Sequence, residues 1–432
     1  MNLKKYEMIA SELFEFNRKN YSNLLKANSI SIFHSADQMP RVGDGTHKFR
    51  QNSDLFYLTG IDQEESILLL CPSSPIPKYR EVLFIRQTNE TIAVWEGRKY
   101  TIEEARKQSG IETVIWHSQF NQIVETLINH VENIYINLNE NDRASSDIAY
   151  KDLRFANDCK IKFPLHHFER SGPIMAKLRT VKHSTEVMML QKACDITEKA
   201  FRRVLSFVKP GVTEYEIEAE IIHEFIRNRA TGHAYDPIIA AGLSSCVLHY
   251  NDNNKACNDG EVLLMDFGAE YGNYCADLTR TIPVNGLFTS RQKQVYNACL
   301  NVHRAAFNIM QPGITLADLN DEVAKVMEGE LIGLGLFSKQ DVANQDPNQP
   351  LFKKYFMHGN SHFLGLDVHD IGNRYEKLPE GVVLTNEPGI YIPAENIGIR
   401  IENDVWVSSN GNVDLMRNIP IEVEEIEALM NG

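Results

Sequence analysis

A stretch of about a hundred residues is written twice in this chain, and that repetition limits its fold more than any other feature. Lys209-Pro210-Gly211-Val212-Thr213-Glu214-Tyr215-Glu216 is echoed by Gln311-Pro312-Gly313-Ile314-Thr315-Leu316-Ala317-Asp318, a period of 102 residues. In each copy a long helical stretch ends at Pro-Gly, and a Thr with an acidic residue three positions on then caps a second helix. The first helix is expected to take Ser184 as its N-cap, with Glu186 in its first turn, and to run to Lys209. The second runs from Thr213 to about Arg229, and the later pair begins near Ser290. Two apolar, strand-like runs around a turn follow each helix pair. The predicted architecture is therefore an internal duplication of two α–α–β-hairpin halves, with a pseudo-two-fold arrangement that brings the hairpins together. An insertion over about 328–354 loosens the second copy.

Each hairpin carries one acidic pair. Asp266 and Asp277 flank the turn Glu270-Tyr271-Gly272-Asn273, and Glu387 and Glu402 flank Pro393-Ala394-Glu395-Asn396. Their separations, 11 and 15 residues, are odd. Each pair is thus expected to face its partner directly across neighbouring strands, on one side of the sheet. Like charges so placed repel unless something positive sits between them. With His362 they make five candidate ligands, a hard, oxygen-rich set suited to two divalent cations, Mn²⁺ first and Co²⁺, Zn²⁺ or Fe²⁺ tolerated. Calcium takes only oxygens, and structural zinc takes cysteines. Two such ions would hold a water and lower its pKa, giving a hydroxide able to attack a carbonyl or phosphoryl centre. One acidic residue in a hairpin is more often solvated surface charge. Five such residues together, embedded in apolar strands at matched parity, favour a site.

Three further histidines surround this set: His249 in CVLHY, then His358 and His369 in FMHGNSHFLGLDVHD. A lone histidine is usually a core or surface residue. Beside glycines and an acidic cluster, these read as donors to a tetrahedral oxyanion or as proton carriers. Arg400 precedes Glu402 by two positions and shares its strand face, where it could orient a carboxylate from behind. Tyr391 and Thr279 share faces with Glu387 and Asp277, with ordinary strand packing as the alternative.

At 432 residues the chain is too long for one core. From about 29 to 137, short β-rich runs (SISIFHS, SILLLCP, REVLFIRQ, ETVIWHS, ENIYINL) alternate with helical stretches such as Gln119 to Val131, so residues 1–174 are expected to form an α/β domain. The duplicated region, 175–432, is the second domain. With 44 basic and 58 acidic side chains the formal charge is −14, which argues against bulk nucleic-acid or anionic-membrane partners. Seven scattered cysteines without a C-x-x-C look like reduced thiols of a reducing compartment. No signal-like h-region opens the sequence, and no apolar run approaches the roughly 18 residues of a membrane span. A cytoplasmic location is expected.

At this point the motifs MDFGxxYxNYxxDxTR, MHGxSHxLGLxVHD, NEPGIYI and GIRIEND resemble those of the creatinase-like "pita-bread" metallopeptidases, which include aminopeptidase P, prolidase, methionine aminopeptidase and creatinase. The resemblance spans nearly all of the chain. It implies an α/β N-terminal domain before an α+β pita-bread domain. It also implies that Asp266 chelates one metal, His362 and Glu387 hold the other, and Asp277 and Glu402 bridge. Glu387 would shuttle the proton, and His249, His358 and His369 would contact substrate or intermediate. The stretch HSADQMPRVGDGTHKFRQNSDLFYLTGI is similar to the N-domain signature of the aminopeptidase P group. That likeness implies hydrolysis of N-terminal Xaa-Pro bonds, with Asp37 in the active-site network. Trp95 would approach the site from a neighbouring subunit of a homodimer or homotetramer. A prolidase confined to Xaa-Pro dipeptides is the alternative, and a non-catalytic peptide-binding pita-bread protein the second. The segment GNRYEKLPEGVVL is shorter than is common in the family, so which arginine meets substrate, Arg374 or another, stays open.

Overall fold

The computed structural model describes residues 4–141, 143 and 147–432, and the chain forms two compact units, one ending at Arg179 and one starting at Thr180. The first unit is built on a six-stranded mixed sheet in the order Thr113–Trp116, Glu81–Ile85, Ile67–Leu70, Ser29–His34, Asn133–Ile136, His167–Arg170. Five of these strands fall on the β-rich runs of the sequence. The sixth, His-Phe-Glu-Arg, is a short polar edge strand whose composition gives no apolar signal. Ile30, Ile32, Ile67, Leu69, Val82 and Phe84 cluster with Ile123, Val124 and Leu127 of the helix Phe120–Ile128. Such near-continuous apolar strands are what a sheet covered by helices requires.

In the second unit the helix Ser184–Phe207 packs on Glu214–Arg227, and Ser290–Ile309 packs on Leu316–Gly333. The first helix departs from expectation at both ends. Its N-cap is His183, not Ser184, closing a capping box with Glu186, and it stops at Phe207 rather than Lys209. The early stop has a steric cause, because the residue before Pro210 is driven out of the α region. Thr213 with Glu216 and Thr315 with Asp318 cap the second helix of each pair. The two Pro-Gly turns are backbone equivalents: Gly211 has φ +95° and Gly313 φ +96°. Both need the left-handed region that glycine enters without a Cβ penalty.

The hairpins follow the helices. Val262–Phe267 pairs with Leu278–Pro283 and, on its other edge, with Ile238–Ala241. Val383–Asn386 pairs with Asn403–Trp406, and Gly389–Ile392 with Ile397–Arg400. An antiparallel bridge between Thr279 and Glu402 joins the two halves, so the acidic pairs meet across the duplication. Arg280, fully buried, secures this seam by donating to the carbonyls of Thr279, Glu402 and Pro420 and to Asn403 Oδ1.

One pair keeps the expected register and the other does not. The ladders that pair Asn386 with Asn403 and Gly389 with Arg400 place Glu387 opposite Glu402. Asp266, however, faces Thr279, and Asp277 lies one diagonal step along the same face. The cause is the turn. Gly272 and Asn273 (φ +60° and +65°) form a two-residue loop between Tyr271 and Tyr274, one residue later than Glu270-Tyr271-Gly272-Asn273 would centre it. Odd parity still keeps both aspartates on one side. Among the described residues, no helix is long and apolar enough to cross a membrane.

Candidate active site

Asp277, His362 and Glu402 are all buried, and each offers a ligand atom within 4.8 Å of the others'. Asp277 and Glu402 come from the facing hairpins, and His362 from the segment that bridges back to the second hairpin through Phe363 and Leu384. His362 Nδ1 lies 3.0 Å from the Phe363 carbonyl. Donation there directs Nε2 at Asp277 Oδ2, 3.3 Å away, and Glu387 Oε1, 3.6 Å away. That carbonyl bond fixes the tautomer a metal-binding imidazole needs.

Asp266 completes the acidic set from the side. Its Oδ2 is paired with Arg400 Nη2, and the Tyr235 hydroxyl lies in short hydrogen-bond reach of both Asp266 Oδ1 and Asp277 Oδ1. Arg400 also donates from Nε to Thr279 Oγ1 at 3.0 Å, and Thr279 Oγ1 donates to Glu402 Oε2 at 2.6 Å. One buried guanidinium thus aligns a carboxylate from each hairpin. Its remaining arm reaches the Tyr391 hydroxyl at 3.1 Å, and that hydroxyl meets His358 Nε2 at 2.8 Å. His358 Nδ1 lies 2.8 Å from the Gly359 carbonyl. Both ring nitrogens of His358 are thereby engaged, whereas His249 and His369 are solvent-exposed. The His369 ring stands edge-on to that of His362, 4.4 Å between centroids.

The electrostatics show a shortage of positive charge. Burial, then the charges of Asp277, Glu387 and Asp266, push the Glu402 carboxyl well above the usual range despite Arg400. Burial raises Glu387 to about 7, with His362 and Arg400 opposing and the two aspartates reinforcing. Asp266 is raised too, by burial first and against the pull of Arg400. Burial opposes a charged His362, but the hydrogen bond to Asp277 and the charge of Glu387 outweigh it and raise its pKa. His358 moves the other way, to about 4, through burial and the Arg400 charge.

These residues fit a divalent metal. Glu402 Oε1 is buried with no hydrogen-bond partner, an arrangement that costs free energy unless a cation occupies its open side. The donor set is carboxylate oxygen plus one neutral nitrogen. Two contributors escaped the sequence reading. Tyr235, in the loop before Ile238–Ala241, carries no parity or motif signal. Asp404 does: it follows Glu402 by two positions on one face. Its Oδ2 accepts the Asp277 N–H at 3.1 Å and the Cys194 thiol at 3.3 Å. Removing the Tyr235 hydroxyl (Tyr235→Phe) should lower divalent-metal affinity about 10- to 100-fold, the usual effect of losing a group that braces a ligand. Titrating metal-free protein with Mn²⁺ reads this directly, and an unchanged affinity would exclude Tyr235 from bracing the site.

Comparison with known proteins identifies the family. Residues 188–409 match the model of metallopeptidase family M24, and residues 14–135 match the aminopeptidase P N-terminal domain. The chain is 34% identical to the Xaa-Pro aminopeptidase of Escherichia coli, over 98% of each. It superposes on the aminopeptidase of Pseudomonas aeruginosa with a TM-score of 0.89 at 31% identity, covering 98% of each chain. Against zinc-substituted E. coli aminopeptidase P in complex with product the TM-score is 0.86 at 31% identity, covering 98% of this chain and 99% of that one. An α/β unit of the aminopeptidase P N-terminal type, followed by a duplicated unit whose two acidic hairpins meet at His362, places this chain in metallopeptidase family M24.

Proposed function

We propose that this chain is a metal-dependent aminopeptidase that removes the N-terminal residue of peptides whose second residue is proline. The observation that carries the reading is the unpartnered, buried Glu402 Oε1 within the Asp277–His362–Glu402 cluster. Asp277, Glu402, His362 and Glu387 would hold one divalent ion, and Asp266 with Asp277 and Glu402 a second, with Mn²⁺ the ion best matched to the donors. Bound there, divalent metal supplies Lewis-acid polarisation of the scissile carbonyl and a water made nucleophilic near neutral pH. The chain's own side chains do the rest. Glu387, whose carboxyl burial raises above its ordinary value, takes a proton and returns it to the leaving prolyl nitrogen. His369 and His249 donate to the carbonyl oxygen as it gains charge. Arg400, Tyr391 and His358 hold the carboxylates in register.

An Xaa-Pro bond has no N–H and restricts the residue before it, so a dedicated pocket has a purpose. The relatives named Xaa-Pro aminopeptidases support this substrate class. None of the seven cysteines forms a disulfide and six are buried, which suits a reducing, cytoplasmic setting. The test is cleavage by Mn²⁺-loaded protein of Xaa-Pro dipeptides against Xaa-Pro-Xaa tripeptides and longer peptides, with a chelator control. Chelator-sensitive release of the first residue from the longer peptides is expected. Cleavage of dipeptides alone would make the chain a prolidase, and none at all would leave a peptide-binding protein.

A further inference from the structure

Behind the histidine motif lies an ion pair that the chemistry above does not use. Lys182 Nζ donates to Asp370 Oδ2 at 3.0 Å, and each side chain is 1% exposed. Such pairs are expensive to bury and are weak evidence for stability, so their retention calls for a structural reason. The reason here is positional. The bend from Gly365 to Asp370 starts three residues after His362 and carries His369, whose ring stands edge-on to that of His362. Asp370 closes the base of this bend: its N–H donates to the Phe363 carbonyl at 2.9 Å, and its Oδ1 accepts the Ile371 N–H at 2.9 Å.

Lys182 is itself held from behind, its N–H on the Gly381 carbonyl at 2.9 Å. Gly365 leaves the room the pair needs, since a Cβ there would collide with Asp370 Oδ2 and press on Lys182. Glu186, buried in the first turn of the long helix, shares the local field, with its Oε1 3.2 Å from the Tyr274 hydroxyl. Tyr274 and Cys275 lie in the first acidic hairpin, and the Cys275 N–H donates to the Gly365 carbonyl at 2.9 Å. The bend is thus fastened between the ion pair and the hairpin that supplies Asp277.

We propose that Lys182, through its buried bond to Asp370, is a positioning residue that sets the bend carrying His369 for catalysis. The proposal rests on the aminopeptidase reading. Lys182→Met should lower kcat on Xaa-Pro-Xaa peptides about 10- to 100-fold, the scale of a displacement near 1 Å, with KM changed much less. That single variant removes the cation facing the buried Asp370 carboxylate and loses stability as well, so the neutral pair Lys182→Met with Asp370→Asn is the informative one. Its melting temperature should recover towards that of the parent while kcat stays low. In a His369→Ala background, Lys182→Met should cost little further kcat, because the ring it positions is gone.

Recovery of kcat together with stability, or a full additional loss in the His369→Ala background, would overturn the proposal. So would a double variant that fails to fold, which would make the pair a folding element. Hydrogen exchange of the amides from 364 to 370 gives a readout free of turnover: the double variant should exchange faster there and not elsewhere, and unchanged protection would count against the clamp. If the parent cleaves no Xaa-Pro peptide, the peptidase reading fails instead, and this exchange measurement still decides the clamp.

Discussion

Glu402→Gln should abolish Xaa-Pro cleavage and metal binding together, and yet make the metal-free protein more stable at pH 8 than its parent. The two effects share one cause. Glu402 faces Glu387 across the second hairpin, hydrogen-bonds Thr279 through Oε2, and leaves Oε1 buried and unpartnered. With metal bound, that oxygen is a ligand. Losing it removes several kcal/mol of transition-state stabilisation, a fall in kcat/KM of roughly 10³-fold or more. Without metal it is a liability. Burial and the charges of Asp277, Glu387 and Asp266 hold the folded carboxyl well above its ordinary value. In the unfolded chain it ionises near about 4.3. Between the two pKa values the folded state binds the extra proton, so stability falls as pH rises through that window and the full deficit is present above it. Glutamine carries no such deficit. Melting curves of chelator-treated parent and variant at pH 5 and pH 8 should therefore converge at the lower pH and separate at the higher. A parent that grows more stable with pH, or a variant that still binds metal with undiminished affinity, would sink the idea.

How much of this was legible in the residues follows from what kind of information each feature carries. The duplicated Pro-Gly and capping-Thr signals are local and backbone-determined, and both helix pairs form where they predict, with Gly211 and Gly313 in the same conformation. Strand parity is equally local, which is why all four acidic residues lie on one side of their sheets. Register is not local. It depends on where the chain turns, and Gly272-Asn273 moved the first hairpin's centre by one residue, which made a diagonal of the expected Asp266–Asp277 contact. His183 displaced Ser184 as cap because its ring nitrogen and Glu186 close a box that the usual cap preferences do not anticipate. Tyr235 and Lys182 were invisible for a deeper reason. Each acts through a partner 31 or more residues away, and the partner's position is a property of the fold. Asp404 was within reach of the parity argument that placed Arg400 beside Glu402. Extending that face by one more step would have named it.

Glu387→Gln separates proton transfer from metal binding at the same centre. The substitution keeps the side chain's shape between His362 and the opposing Glu402 and removes its negative charge and its ability to carry a proton, at the cost of one of the carboxylates assigned to the metal. Asp277, His362 and Glu402 remain as a converging ligand set, so elemental analysis of the loaded variant should still find metal. Turnover should fall about 10²- to 10⁴-fold, the range for losing a positioned general acid–base group. Burial lifts this carboxyl to about 7, opposed by His362 and Arg400 and reinforced by Asp277 and Asp266. A bound cation favours the ionised form and moves that value down. The parent's kcat/KM should accordingly rise with pH along an acidic limb lying below about 7, as Glu387 loses its proton and becomes able to accept one from the attacking water. The residual activity of the variant should lack that limb. Linkage gives the same group a second signature: with its folded pKa above the unfolded one, it destabilises the metal-free parent progressively from about 4.3 up to about 7, and Glu387→Gln removes that share of the pH dependence. A metal-loaded variant that keeps turnover within tenfold of the parent, or that keeps the acidic limb, would assign the proton to another group. His369 would then be the next to test, since it is exposed to an incoming peptide and its ring stands against that of His362.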